Sequence, residues 1–168
     1  MENVLLNTIR EKLQTKFGDA ILSAEQQYDF PVFVVNHSAI FEVMKFLKED
    51  LELDFGFLTT LCGLHYPDNK GQELGVMYQL HNLPKNLRIR IKTFFPINTP
   101  EIPTMTPLFA SANWQERQEY DFYGIIFKGH PDLKRILNMD DMNYFPMRKE
   151  YPLEDATRDD KNDKMFGR

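Results

Sequence analysis

Residues 114–152 read WQERQEYDFYGIIFKGHPDLKRILNMDDMNYFPMRKEYP. The stretch begins as a helix too polar for ordinary core. It breaks at Gly124-Ile125-Ile126-Phe127 and turns at Lys128-Gly129-His130-Pro131. One or two amphipathic turns are expected from Asp132 to Leu137, and after them aromatics and prolines follow without a regular period. Such a segment buries little against itself. It is therefore expected to be spent on a partner surface, with the rest of the chain as the scaffold that holds it.

The scaffold must lie upstream. The chain has 168 residues, enough for one domain and an extension, and a domain of about 150 residues buries roughly 70% of its unfolded surface. Hydrophobic content of 42% and charged content of 27% are those of a globular protein. The net charge of −5 disfavours a nucleic-acid binder, which shows a basic footprint. A single cysteine, Cys62, can form no internal disulfide and cannot alone hold an iron–sulfur cluster; a reducing compartment fits. The start, MENVLLNTIREK, carries Glu2 and lacks the apolar region of a secretory signal. No apolar run reaches the ~18 residues of a membrane span, so membrane association is expected only through a partner.

Leu5, Ile9, Leu13 and Phe17, widened by Leu6, mark a helix over 3–17, with Asn3 placed to cap it and Gly18 to end it. Residues 20–27 form a weak strand candidate and 28–31 a turn. Val32-Phe33-Val34-Val35 is apolar on both faces, as an internal strand is. Ser38 is placed to cap a second helix reaching about Leu51, with Ile40, Val43, Met44, Leu47 and Leu51 inward. Strands are expected over 55–66, 73–80 and 87–92, joined by turns at 67–71 and 84–86. In the last strand Leu87, Ile89 and Ile91 alternate with Arg88, Arg90 and Lys92, giving one covered and one solvated face. That basic row reads as a solvated strand face, with an acidic partner as the alternative.

The order α-β-β-α-β-β-β implies a two-layer α+β domain with a mixed sheet and both helices on one face, ending at 95. A proline-rich connector or strap spans 96–106. A helix is expected from the Thr106-Pro107 pair, interrupted near Ser111 and ended by Gly124. The helix and an extended partner-binding arm occupy 107–153. The charged tail 154–168 reads as disordered.

On the polar helix, Trp114, Arg117 and Asp121 share one face and Glu116, Glu119, Tyr120 and Tyr123 another. A helix polar on nearly every side is either solvated or packed between subunits. Trp, Tyr and Arg, the residue types enriched at interface anchors, favour the second. Glu116 and Glu119 could form an acid–base pair only with a cleft to tune them; their spacing is common in helices, and Arg117 offers simple pairing. His37, His65, His81 and His130 lack the spacing of a zinc site, Asp140-Asp141 lacks that of a calcium loop, and no glycine-rich phosphate loop is present.

Ala112-Asn113-Trp114-Gln115-Glu116-Arg117, Asp121, Gly124-Ile125, Phe127, Gly129-His130-Pro131-Asp132-Leu133, Arg135-Ile136-Leu137, Pro146-Met147-Arg148-Lys149 and Tyr151-Pro152 together resemble the signature of the 30-kDa-type subunit of proton-pumping NADH:quinone oxidoreductase, respiratory complex I. Phe57-Leu58, Tyr66-Pro67-Asp68, Tyr78-Gln79-Leu80, residues 87–92 and Ile102-Pro103-Thr104 extend the similarity over nearly the whole chain. The family usually has Glu at Gln118, Gly at Tyr144 and an acid among Cys62 to His65.

The resemblance implies a non-catalytic structural and assembly subunit of the peripheral arm, on the cytoplasmic side of the membrane. It would dock on the quinone-site subunit, beside the iron–sulfur subunits. It would bind no cofactor itself; NADH, FMN, iron–sulfur clusters and quinone would belong to other subunits. Trp114, Tyr120, Phe127, Leu133, Leu137, Tyr144 and Tyr151 would anchor the extension. Glu116, Arg117, Asp121, His130, Arg135 and Arg148 would satisfy polar groups there or across the interface, and Gly124, Gly129, Pro131, Pro146, Lys149 and Pro152 complete the interface signature. The alternatives are the equivalent subunit of a membrane-bound hydrogenase or ferredoxin-dependent quinone reductase, or a free-standing enzyme built around Glu116 and Glu119.

Overall fold

Alternating apolar residues on four strands and apolar stripes on two helices leave one economical arrangement, a sheet with the helices laid on one face. The computed structural model has this form. It describes residues 2–151, with side chains from Leu6 onward. Pro152 and the tail 154–168 therefore lie outside the described residues, as do the side chains of Asn3 and Leu5.

Helix α1 (Glu2–Phe17) leads through a 3-10 turn (Gly18–Ala20) into β1 (Ile21–Gln27) and β2 (Phe30–Val35). Helix α2 (Ile40–Glu49) is followed by β3 (Phe57–His65), β4 (Leu74–Asn82) and β5 (Leu87–Phe95). The sheet order is β1-β2-β5-β4-β3; β2 and β5 run parallel, and every other pair is antiparallel. The parallel β2–β5 pair, whose strands are separated in the chain by α2, β3 and β4, is what makes the sheet mixed. Ile9 and Leu13 of α1, and Ile40, Val43, Met44 and Leu47 of α2, bury themselves against Phe33, Val35, Tyr78, Ile89 and Ile91. Lys12 of α1 reaches Asp50 at 3.0 Å just past the end of α2, tying the two helices together.

Several local expectations fail for identifiable reasons. Asn3 lies inside α1 rather than at its cap. Ser38 does not cap α2: its hydroxyl and backbone N–H both donate to Asn36 Oδ1, and Ala39 occupies the cap position. Leu51 is exposed because the helix stops at Glu49, where the Asp50 carboxylate accepts the N–H groups of Glu52 and Leu53. No helix follows Thr106-Pro107. The Thr104 hydroxyl accepts the Thr106 N–H, and the chain passes through turns until α3 (Ala112–Tyr123) begins. The strap also contains a strand that the sequence did not reveal: β6 (Glu101–Pro103) pairs in parallel with β7 (Ile126–Lys128) after α3.

Helix α3 packs on β3, the edge strand of the sheet. Edge strands expose unpaired backbone groups and need cover. Glu119 supplies it, its Oε2 accepting the Gly63 N–H at 2.7 Å. The approach depends on a glycine: a Cβ at Gly63 would fall on the Tyr123 ring and 2.7 Å from the Glu119 carboxylate. Gly63→Ala is expected to destabilise the chain by about 1–3 kcal/mol through overpacking, read as a lower denaturant midpoint with an unchanged slope.

Candidate functional site

Helix α3 is not a solvated helix: Glu116, Arg117, Glu119 and Asp121 are buried. Its polar groups are buried between two parts of its own polypeptide. At 100° per residue, Ala112, Glu116, Glu119 and Tyr123 turn toward the sheet, while Arg117 and Asp121 turn toward the segment that follows. Ala112, Glu116, Arg117, Glu119 and Asp121 are all buried. Gly124 ends the helix in the left-handed conformation, with φ of 73° and its N–H donating to the Tyr120 carbonyl.

On the sheet side, Glu116 accepts the Met105 N–H at 2.6 Å and the Thr104 hydroxyl at 2.5 Å. It thereby fastens the proline-rich strap to the helix. Burial outweighs these hydrogen bonds and raises the Glu116 pKa to about 7. Burial likewise raises Glu119 to about 7 against the opposing pull of the Gly63 N–H.

On the other side sits Asp121, with no exposed surface. Burial by itself pushes its pKa up. The N–H groups of Asn138 and Leu137, the Asn138 amide and the Arg135 guanidinium more than reverse this and hold the carboxyl well below the ordinary aspartate range. Oδ2 accepts the consecutive N–H groups of Ile136, Leu137 and Asn138 at 3.1, 2.8 and 2.9 Å. Oδ1 accepts Arg135 Nη1 at 2.6 Å and Asn138 Nδ2 at 3.0 Å. This explains why 132–137 forms no helical turn: three N–H groups that could enter a helix are aimed at one carboxylate instead.

Arg135 completes the frame by donating Nη2 to the Met142 carbonyl at 2.7 Å and to the Tyr144 carbonyl at 3.2 Å. Arg117 donates to the carbonyls of Lys134 and Arg135. Arg148 Nε donates to the Tyr123 carbonyl at 2.7 Å, and the Met147 N–H donates to the Phe122 carbonyl. Phe145 lies between the Arg135 and Arg148 guanidiniums, with centroid distances of 5.3 and 4.7 Å. Its ring fills the space beside Gly124, where a Cβ would come within 2.5 Å of it. His130 makes a hydrogen bond to the Asn113 carbonyl at 3.0 Å and accepts the Asp132 N–H. The Lys149 N–H reaches His65 Nδ1 at the end of β3.

The structure thus brings Glu116, Arg117, Asp121, Gly124, Arg135, His130 and Arg148 into one intrachain network around α3. Phe127 is buried in the core rather than exposed as an anchor, and Leu133 is half-buried against it. Trp114 and Leu137, each 63% exposed, project their side chains away from the network, as do Lys149 and Tyr151, although the Leu137 and Lys149 N–H groups belong to it and the Trp114 ring lies 5.0 Å from the Arg117 guanidinium. Gly129, with φ of 84°, and exposed Pro131 make the turn after β7, and Pro146 is half-buried beside Phe145. Thr104, Gly63, His65, Asn138 and Phe145 were missed. Of these only Gly63 carried a signal, a glycine inside an otherwise apolar strand pattern. Among the described residues, no group of three or more His, Cys, Asp or Glu could hold a metal ion, and no helix is long and apolar enough to cross a membrane.

The profile of the family "Respiratory-chain NADH dehydrogenase, 30 Kd subunit" matches residues 33–157. An NADH-quinone oxidoreductase subunit of Rhizobium etli (strain CIAT 652) is 40% identical over 145 residues, 86% of this chain and 76% of that protein. Its counterpart in Mycobacterium avium (strain 104) is 36% identical over 152 residues; the match covers 89% of this chain and 65% of the Mycobacterium protein. Among solved structures, the trypsin-resistant fragment of Nqo5 superposes with a TM-score of 0.66 at 31% identity, covering 76% of this chain and 98% of the fragment. The membrane-bound sulfane sulfur reductase, an archaeal respiratory membrane complex, contains a chain with a TM-score of 0.73, covering 88% of this chain and 85% of its own. Its 20% identity supports likeness of fold alone.

Two outcomes follow from the buried carboxylates. Asp121→Ala strands the Arg135 guanidinium and three N–H groups, and is expected to cost about 3–5 kcal/mol, with tryptic cleavage at Lys134 and Arg135 accelerated. For Glu116 and Glu119, folded pKa values of about 7 lie above the ordinary value of 4.5. The unfolded chain therefore ionises first. The contribution of these two groups to stability is full below about pH 4.5 and falls as pH rises through about 7. Denaturant titrations across this window should show the decline, and Glu116→Gln with Glu119→Gln should flatten it.

Proposed function

The chain belongs to the family of the respiratory-chain NADH dehydrogenase 30 Kd subunit, and from that premise we propose that it is a non-catalytic assembly subunit of NADH:quinone oxidoreductase. It docks on the quinone-site subunit of the peripheral arm, beside the iron–sulfur subunits, on the cytoplasmic side of the membrane. NADH, FMN, iron–sulfur clusters and quinone are handled by its neighbours. Electron transfer from NADH to quinone and the coupled ion translocation belong to the assembly.

The observation that carries this reading is the use of the buried charges. Asp121, Arg135, Arg117 and Arg148 spend their hydrogen-bonding capacity on backbone groups of residues 123–144. A network of this kind positions a chain, its charged groups being engaged with backbone rather than turned to a cleft. What it positions is a segment without helix or strand after β7, from which Leu137, Met139, Tyr144, Met147 and Tyr151 project into solvent. Exposed large apolar side chains on an irregular but rigidly held segment suit a protein interface. The division of the chain into a body up to 95, a connector and a docking arm from 107 follows the same logic.

The sheet-side carboxylates support the same reading. Glu116 and Glu119 each face donors of their own chain and serve as fasteners between α3, the strap and β3. The proposed contact residues are therefore the outward ones: Trp114, Leu137, Tyr144, Lys149 and Tyr151, with Met139 and Met147 beside them.

Leu137→Asp and Met139→Asp change solvent-facing side chains and should leave the isolated chain folded. They are expected to deplete the assembled complex on native gels, while turnover per assembled complex stays at the wild-type value. Normal assembly with lost turnover would falsify the structural role.

A further inference from the structure

All three helices lie on one face of the five-stranded sheet, and the core cluster takes its sheet residues from that face. The opposite face carries Arg88, Arg90 and Lys92 at alternate positions of β5, spaced about 7 Å along the strand. Arg88 is exposed and the other two are half-buried. In an antiparallel sheet such cations are ordinarily matched by carboxylates on the neighbouring strand. Here their partners are neutral. Arg90 Nε donates to Gln79 Oε1 at 2.8 Å, and its guanidinium lies 4.4 Å from the Phe30 ring centroid. Lys92 Nζ donates to Gln27 Oε1 at 3.0 Å.

None of the three is in an ion pair among the described residues. Among the described strand residues of this face, Glu25 is the acid. It stands across Val32 from Arg90 in the strand register and accepts a hydrogen bond from Gln27. Gln79 Nε2 is buried without an acceptor beside Arg90. Amide and aromatic partners hold the cations in place without neutralising them, and they do so in a chain of net charge −5. The face is a preoriented row of positive charge on a half-buried floor that includes Leu64 and Met77.

We propose that this sheet face docks an acidic segment of a neighbouring polypeptide, whose carboxylates meet Arg88, Arg90 and Lys92. Carboxylates at alternate residues of an extended strand, or at every fourth residue of a helix, recur every ~6–7 Å and match the row. The inference rests on the chain being part of a larger assembly, but it is independent of the arm: this surface lies on the side of the sheet away from α3.

The test uses the intact respiratory complex. A carbodiimide, which joins an amine directly to a carboxylate, should link Lys92 to an Asp or Glu of another chain, identified by mass spectrometry. In parallel, Arg88→Glu should release the chain from the complex at a salt concentration lower by about twofold than wild type, with an unchanged thermal midpoint of the isolated chain. Arg88→Lys should be retained as wild type is. Absence of the cross-link, or wild-type salt retention of the Arg88→Glu complex, overturns the proposal; salt sensitivity without a cross-link assigns the cations to a phosphate ligand instead. In the Leu137→Asp variant, a reduced yield of complex with the Lys92 cross-link preserved in the fraction that still assembles would separate failure at the arm from failure at this face.

Discussion

A carboxylate with no contact with water must be met by donors or give up its charge, and Asp121 is met by five. Three are successive backbone N–H groups, so the path of the chain at 136–138 is dictated by the position of one side chain. A fourth comes from Arg135, whose remaining N–H groups fix the carbonyls of Met142 and Tyr144. One ion pair of 2.6 Å thus organises a stretch of chain that has neither helix nor strand to organise itself. Buried ion pairs contribute little net stability, because desolvation offsets attraction. What this one supplies is a definite conformation for backbone that would otherwise have many.

The network can work only because α3 is held at a set distance from the sheet. Glu119 caps the open edge of β3 at Gly63, and Glu116 grips the strap at Thr104 and Met105. Two glycines set the clearances: Gly63 admits the Tyr123 ring, and Gly124 both ends the helix and admits Phe145. The helix is therefore a middle layer. One side reads the position of the sheet, and the other transmits it to the segment beyond. The short parallel pair of β6 and β7 closes the loop around the helix and fixes its two ends relative to each other.

The chemistry follows from this economy. The buried ionisable groups of α3 are occupied in positioning: two carboxylates whose burial lifts them to about 7, one carboxylate held strongly ionised, and the Arg117 guanidinium on the Lys134 and Arg135 carbonyls. Similarity to the family extends across body and arm alike, from residue 33 to residue 157. A folded core and a charged outer sheet face on one side, and a pinned apolar segment on the other, give one small chain two surfaces of opposite character.

Much of the body was legible from residue order alone. The alternation in 87–92 placed Ile89 and Ile91 inward and Arg88 outward, and the all-apolar 32–35 marked an internal strand. These signals are local and periodic, so they survive without tertiary information. The signature from Trp114 onward identified the family for the same reason: it is a matter of residue identity. What residue order could not settle was where the polar groups of α3 point. A carboxylate on a helix looks the same in sequence whether it faces water, another subunit or three N–H groups of its own chain. The ring of donors around Asp121 comes from residues 14 to 17 positions away, and the Glu119–Gly63 bond spans 56. Only the packed fold brings such partners together, and only their burial gives these hydrogen bonds the strength to determine a path.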